Sequence, residues 1–328
     1  MSTQLYDPFN RRIDYLGLSV TDRCDLRCYY CMPKGFDDFT VPESWLTFDE
    51  IERVVAAFGR LGVSQIRLTG GEPLVRKGLP ELSERLTSLP GIEDLSLSTN
   101  AVKLSKQANK LKKAGVTRLN VSLDTLKPDL FSSITCGKLS KVIDGLMAAK
   151  DAGFFPIKIN MVVMRGVNDL EVDDMIEFCV KHDFTLRFIE TMPMGDTGRN
   201  ATKQYIPLSE VRERLEKRFE LIPDVSIRGA GPARYVRVAG TELKIGFITP
   251  ISQHFCETCN RVRLSTDGTL YMCLGQENSL ALRPLLRDNC TDYELEQAIV
   301  KAIALKPEKH EFSTRPDQII RIMSITGG

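Results

Sequence analysis

Histidine is scarce in this 328-residue chain: three in all, and none before His182. The first half therefore cannot supply the histidines of a mixed Cys/His zinc site. Charge of either sign is not in excess. Lys and Arg number 44 against 43 Asp and Glu, a net of +1, so no global field draws nucleic acid or an anionic membrane, and any anion site must be local. No apolar run approaches the roughly 20 residues that cross a bilayer, and Met1–Arg12 lacks the apolar core of a signal peptide. Cysteine does not suit a disulfide framework: there are nine, an odd number, with six in two tight groups. That fits a reducing compartment and metal ligation. The expectation is a cytoplasmic protein with no membrane or nucleic-acid partner.

What is present is a loop of three thiols. Cys24, Cys28 and Cys31 are spaced C-x3-C-x2-C between the apolar run Ile13–Val20 and Pro33. Thiolates so close along the backbone can face one metal centre. A 4Fe–4S cube that only carries electrons takes four ligands, so three leave one iron open, as catalytic metal sites keep an open position. A structural zinc knuckle or three unrelated thiols is the bland alternative.

The chain is 42% hydrophobic and 27% charged, an ordinary globular composition. Strands are expected at Ile13–Val20, Gln65–Thr69, Leu95–Ser98, Arg118–Ser122, Pro156–Val163 and Thr185–Ile189, with helices at 47–61, 78–89, 104–114, 139–152 and 169–182. Thr47-x-x-Glu50 reads as a capping box, and Gly62, Gly115 and Gly153 as C-terminal caps. This alternation predicts an α/β fold: a parallel sheet curled into a partial, six-unit TIM-like barrel, with ligands at the carboxyl ends of its strands. After Glu190 the pattern changes: a loop at Met192–Gly198, a helix at Leu208–Phe219, then strands at Arg234–Val238, Leu243–Ile248, Arg261–Leu264 and Leu270–Cys273. Asp267-Gly268 marks a hairpin, Thr291-x-x-Glu294 opens a late helix, and the end reads as extended. A division into 1–200 and a smaller α+β region at 201–328 is expected.

Thr69-Gly70-Gly71-Glu72-Pro73 follows the second strand, where two glycines let backbone approach a ligand. Ser98-Thr99-Asn100, Ser122-Leu123-Asp124, Lys158 and Asn160 add a polar ring; singly, each reads as a turn or cap. The second thiol group is Cys256, Cys259 and Cys273, C-x2-C-x13-C, again three ligands. Cys290 or His254 completing a zinc site stays open; a second 4Fe–4S cluster with an open iron is favoured. Arg261 and Arg263 share one face of the next strand and suit phosphate or carboxylate. The chain ends Gly327-Gly328, narrow enough to thread into a site, although termini are commonly disordered.

The C-x3-C-x2-C run, with Tyr30 just before its last cysteine, resembles the radical S-adenosylmethionine (SAM) superfamily. Together with Cys256-x-x-Cys259-x-Arg261-x-Arg263 and the Gly-Gly end, the chain resembles over nearly its whole length the GTP-cyclising family of molybdenum cofactor biosynthesis. That resemblance implies a radical SAM lyase with two 4Fe–4S clusters and SAM. The first cluster would sit on Cys24, Cys28 and Cys31, the second on Cys256, Cys259 and Cys273. SAM contacts would lie at Tyr30, Gly70, Gly71, Glu72, Ser122 and Met192. GTP contacts would lie at position 17 and at Arg67, Ser98, Lys158, Arg261 and Arg263. Arg67, Lys158, Arg187, Gly327 and Gly328 would serve catalysis. The implied chemistry removes hydrogen from ribose C3′ of GTP and joins C3′ to guanine C8. An electron-donor protein is implied, and the family leaves room for a homodimer and for docking of the next enzyme of the molybdopterin pathway. The resemblance departs at Gly17, where the family carries arginine, at Gln65 (often lysine) and at Ala101 and Ser98. Two other readings remain at this point: a radical SAM enzyme acting on a peptide, and a non-catalytic relative suggested by Gly17.

Overall fold

A computed structural model describes residues 4–33, 41–224 and 231–327. Its strands are β1 (Tyr15–Thr21), β2 (Gln65–Gly70), β3 (Asp94–Thr99), β4 (Arg118–Ser122), β5 (Ile157–Val162), β6 (Thr185–Ile189), β7 (Leu221–Pro223), β8 (Arg234–Val238), β9 (Lys244–Ile248), β10 (Arg261–Leu264), β11 (Thr269–Tyr271) and β12 (Ser279–Ala281). Strands β1 to β6 are parallel neighbours in chain order, and β10 and β9 extend them in parallel at the β1 and β6 edges. The rest add antiparallel, giving the order β12-β11-β10-β1-β2-β3-β4-β5-β6-β9-β8-β7. No ladder joins β12 to β7 among the described residues, so the barrel is partial. Strands β7 to β12, all after residue 220, thus lengthen both edges of one sheet.

Alternation along the strands decides which face does what. Leu16, Leu18, Ile66, Leu68, Leu95, Leu97, Leu119, Val121, Ile159 and Phe188 are buried on the face covered by helices Phe48–Arg60, Leu79–Thr87, Ala108–Lys113, Leu139–Asp151 and Val172–His182. Each such side chain contributes about 1.5–3 kcal/mol of transfer free energy. Their neighbours one residue away are Tyr15, Gly17, Arg67, Ser96, Ser98, Asn120, Lys158, Asn160 and Arg187. A closed (β/α) barrel fills its interior with branched apolar side chains; here the inward face is polar and lines clefts.

Local signals account for the element ends. The Thr47 side chain accepts from Glu50 N at 3.1 Å and Glu50 Oε2 accepts from Thr47 N at 2.7 Å. Gly62, Gly115 and Gly153 all have φ near +80°, the left-handed region glycine enters freely. A register shift between Ser19 and Thr21 kinks β1 just before the cysteine loop, as bulges at sheet rims re-aim the chain. Beyond the short elements β7, β12 and helix Arg283–Arg287, which the sequence reading lacks, three segments differ from it. Gly195–Ala201, inside and beyond the expected loop, is helical. Pro128–Thr135 forms an extra helix with proline in its first turn, where a missing N–H costs nothing. Met323–Thr326, expected as extended, makes one helical turn against β1 and β2.

The loop after β2 packs tightly on the start of the cysteine loop. Gly71 N donates to Thr21 O at 2.7 Å and Glu72 N to Arg23 O at 2.7 Å. Gly70 sits at φ +132°, and a Cβ there would collide with the Thr21 carbonyl. Strained backbone of this kind costs about 1–3 kcal/mol before any clash is counted. Gly70→Ala should therefore destabilise the protein by at least about 2 kcal/mol in urea denaturation. A loss below about 0.5 kcal/mol would show that the loop yields instead.

Candidate active site

Cys24, Cys28 and Cys31 lie on the loop leaving β1, at the rim formed by the carboxyl ends of β1–β4. Cys31 N and Met32 N both donate to Cys28 O at 2.9 Å, winding this part of the loop into a tight turn. Leu26 N at 3.4 Å and Asn100 Nδ2 at 3.8 Å point at Cys24 Sγ. Burial pushes all three thiols up, Cys31 to about 12, and neighbouring carboxylates and thiols add to it. Without a cation the loop is a poor place for thiolates. Positive iron reverses that balance and deprotonates coordinating thiols, while N–H donors to sulfur are the usual outer contacts of Fe–S clusters. The residues fit a cluster.

Glu72 is buried and joins strands rather than facing open space. Its carboxylate accepts from Leu74 N at 3.0 Å, Thr99 Oγ1 at 2.7 Å and Asn100 N at 2.6 Å. Burial raises it to about 7, against these hydrogen bonds. Asn100 then donates to Asp25 at 2.8 Å. Tyr30 OH donates to Asp124 at 2.6 Å, and Asp124 also accepts from Val162 N at 2.9 Å. Burial lifts Asp124 to about 6. Ser122, at the end of β4, is exposed.

Further into the barrel, a cleft of about 910 Å³ is lined by Arg67, Asn160, Arg187, Met192, Arg261, Arg263 and all of Cys256, Cys259 and Cys273. It adjoins a second of about 870 Å³, lined by Asp14, Tyr15, Gln65, Ser96, Arg118, Asn120 and Lys158; Arg67, Arg187 and Arg261 border both. Asp14 is the one carboxylate among their described lining residues, and it accepts from Asn260. Cations therefore crowd together. Burial, then Arg187, Arg118 and Arg67, drive Lys158 down to about 7. Burial and Arg67 lower both Arg187 and Arg261 to about 10, and Arg263 falls by burial and by neighbours including Arg67. The Tyr15 ring sits 4.5 Å from the Arg261 guanidinium and 5.2 Å from that of Arg67. Arg187 donates to Asn160 at 2.8 Å and to Asn120. Arg67 Nε and Ser98 Oγ are buried without a hydrogen-bond partner among the described residues.

Gly17 pairs in register with Arg263 on one side and Arg67 on the other. A Cβ at position 17 would stand 3.3 Å from Arg263 Cγ, so the arginine stem takes the space beside it. The same corner holds Thr326 and Gly327. Gly327 has φ +67° and lies so close to Thr69 that a Cβ would collide with its side chain. Gly328 lies outside the described residues.

In the second thiol triad burial again pushes Cys256 and Cys273 up, and Cys259 alone differs. Burial pushes Cys259 up, but Lys306, the Arg261 N–H, Arg263 and Arg261 outweigh it and hold the thiol below its ordinary value. Among the described residues no three His, Cys, Asp or Glu side chains converge where a single ion could sit. Cys290, weighed as a fourth ligand, lies instead beside Arg53 Nη2 at 3.8 Å, and His254 pairs with Glu257 at 3.2 Å. Arg11, Asn120, Arg118 and Lys306 escaped the sequence reading. For Asn120 and Arg118 the signal was there: both share the β4 face of Ser122. For Arg11 and Lys306 it was not, since each reads locally as surface charge.

The radical SAM superfamily model matches residues 18–179 and the molybdenum cofactor synthesis C model residues 184–312. The chain is 47% identical to a GTP 3′,8-cyclase of Hydrogenovibrio crunogenus over 99% of both proteins. It is 48% identical to one of Rhizobium etli, over 99% of this chain and 94% of the relative. Among solved structures, Streptococcus suis SuiB bound to the precursor peptide SuiA shares the fold, with TM-score 0.62 and 16% identity over 90% of this chain and 65% of that one. Full-length identity of this order, with both family models matched in sequence, shows that the chain belongs to the GTP 3′,8-cyclase family of radical SAM enzymes.

Proposed function

We propose that the protein converts GTP to (8S)-3′,8-cyclo-7,8-dihydroguanosine 5′-triphosphate, an early step of molybdenum cofactor biosynthesis. The observation that carries this is the set of crowded cations, buried Arg187 and half-buried Arg67, Lys158, Arg261 and Arg263, in clefts with a single carboxylate among their described lining residues. At an effective dielectric of 20, like charges 4 Å apart repel by about 4 kcal/mol. A triphosphate relieves that repulsion and offers the oxygens that guanidinium forks bind bidentately; a neutral peptide has no matching charge. A reduced 4Fe–4S cluster with SAM supplies the 5′-deoxyadenosyl radical. In our reading Cys24, Cys28 and Cys31 hold that cluster, while backbone at Gly70 and Gly71, with Tyr30, Ser122 and Met192, positions SAM. Glu72 acts through the loop it ties to Asn100. Cys256, Cys259 and Cys273 hold a second cluster beside the substrate, and Ser98 and Arg67 offer their unpartnered polar atoms to the nucleotide. Residues 1–200 then form the radical SAM partial barrel with the SAM-binding cluster, and 201–328 the C-terminal region with the second cluster and the Gly-Gly tail. An external protein donates the electron.

The direct test is anaerobic reconstitution, with GTP or a peptide library offered alongside SAM and a reductant. GTP should trigger formation of 5′-deoxyadenosine and a cyclised nucleotide; turnover with peptide alone would overturn the proposal. Cys24→Ala should abolish SAM cleavage. Cys273→Ala should preserve SAM cleavage and lose the cyclised product.

Binding should also depend on pH through Lys158. Its free form titrates near 7, and a bound polyanion favours the charged ammonium, so the bound value lies higher. Above about pH 7 binding then takes up a proton and weakens as pH rises, by up to about tenfold per unit. Calorimetry from pH 7 to 9 should show this slope, and Lys158→Arg, which stays charged, should flatten it. Equal slopes in both proteins would remove Lys158 from the site.

Deleting Gly327 and Gly328 should leave the fold and both clusters intact while stopping hydrogen abstraction from GTP. Full activity in the truncated protein would make the tail a passive end.

A further inference from the structure

The strand of chain from Lys306 to Glu311 straps the second thiol triad. Lys306 is buried, 3% exposed. Its ammonium donates to Arg261 O at 2.8 Å and Met272 O at 2.7 Å and lies 3.6 Å from Cys259 Sγ. One carbonyl is two residues past Cys259 and the other is one residue before Cys273, so a single ammonium pins both arms of the triad. Arg11 closes the third side. It donates to Cys256 O at 2.7 Å, Glu308 O at 2.6 Å and Pro307 O at 2.7 Å, and Asp7 holds it in place at 3.0 Å through Arg11 N. Glu311 N donates to Gly275 O at 3.1 Å, just past Cys273. Lys306 makes no ion pair with a carboxylate among the described residues; the charge it offers goes to the triad.

We infer that Lys306 is a positioning residue for the second cluster, setting its redox poise by placing a fixed positive charge against one ligand sulfur. This rests on the reading that Cys256, Cys259 and Cys273 hold a cluster. Hydrogen bonds to the sulfurs and net charge nearby are established levers on Fe–S potentials. A cation favours the more negative, reduced state, and the effect is strong where water is excluded. Arginine would keep the charge; methionine would keep the length and lose it.

The test uses the full chain with Cys24→Ala, Cys28→Ala and Cys31→Ala, so that the second cluster alone reports. Reconstituted anaerobically, this protein should hold about four irons, one cube's worth. Adding Lys306→Met should shift its midpoint potential downward in a titration followed by electron paramagnetic resonance, and Lys306→Arg should bring it back. An unshifted potential at full iron content overturns the assignment. If Lys306→Met empties the site, cluster retention in Lys306→Arg upholds the role of charge, and loss in both overturns it. Failure of the background protein to take up iron overturns the second-cluster reading itself, and this assignment with it.

Discussion

The pairing of β10 with β1 is the constraint on which the site depends. β1 takes β2 on one edge and β10 on the other, both in parallel. That register sets Arg263, Gly17 and Arg67 side by side, with Arg261 beside Tyr15. Strand side chains alternate, so a slip of one residue would turn both C-terminal arginines outward onto the apolar layer. Closing a loop of this length costs little beyond a shorter one, since loop entropy grows only with the logarithm of length. Val262 and Leu264 are fully buried on the outer side of β10, and their burial fixes the register. Apolar packing on one face thereby dictates where charge falls on the other.

The inner face is electrostatically unfavourable by itself. Burial and mutual repulsion lower Lys158, Arg187, Arg261 and Arg263 together, which means the protein holds these charges at a cost to its own stability. Such cost is typical of sites shaped for a ligand of opposite charge. Aromatic and amide contacts reduce it without cancelling the charge: Tyr15 between two guanidiniums, and Asn120 and Asn160 on Arg187. A carboxylate in their place would neutralise the arginines. Neutral partners orient them and leave their charge uncompensated.

Much of this was legible in the sequence, and the exceptions share a cause. Strand positions β1 to β6, both capping boxes and the glycine caps followed from local pattern, because each is set within a few residues. The two cysteine spacings and the alternation of Arg261 and Arg263 were equally local. Gly195–Ala201 was not: Gly, Asp and Thr favour turns, yet Gly195 N donates to Ile319 O and Arg199 to the same carbonyl at 2.9 Å, so the C-terminal segment supports the helix. Glu72 stands in a motif that suggests ligand contact, while its carboxylate serves Thr99 and Asn100. Arg11 and Lys306 lie in polar stretches and acquire meaning only when distant segments meet at the second triad. Local chemistry is readable; the partners of a long side chain are not.

Contacts through the C-terminal segment also link the two thiol groups physically. Arg321 stacks 4.0 Å from the Tyr271 ring and donates to Leu274 O at 2.8 Å and Gln276 O at 2.7 Å, in the loop that begins at Cys273. The turn Met323–Thr326 then lies on β1 and β2, and Gly327 rests against Thr69. Thr69 immediately precedes Gly70 and Gly71, whose backbone is locked to Thr21 and Arg23, next to Cys24. Every step in this series is a close contact with no room for an added Cβ at its glycines. A larger residue at 327 would have to displace Thr69, and Thr69 could move only by disturbing the loop that frames the first thiol group. Gly327 and the paired Gly70 and Gly71 therefore meet steric demands that converge on Thr69 and the start of the cysteine loop.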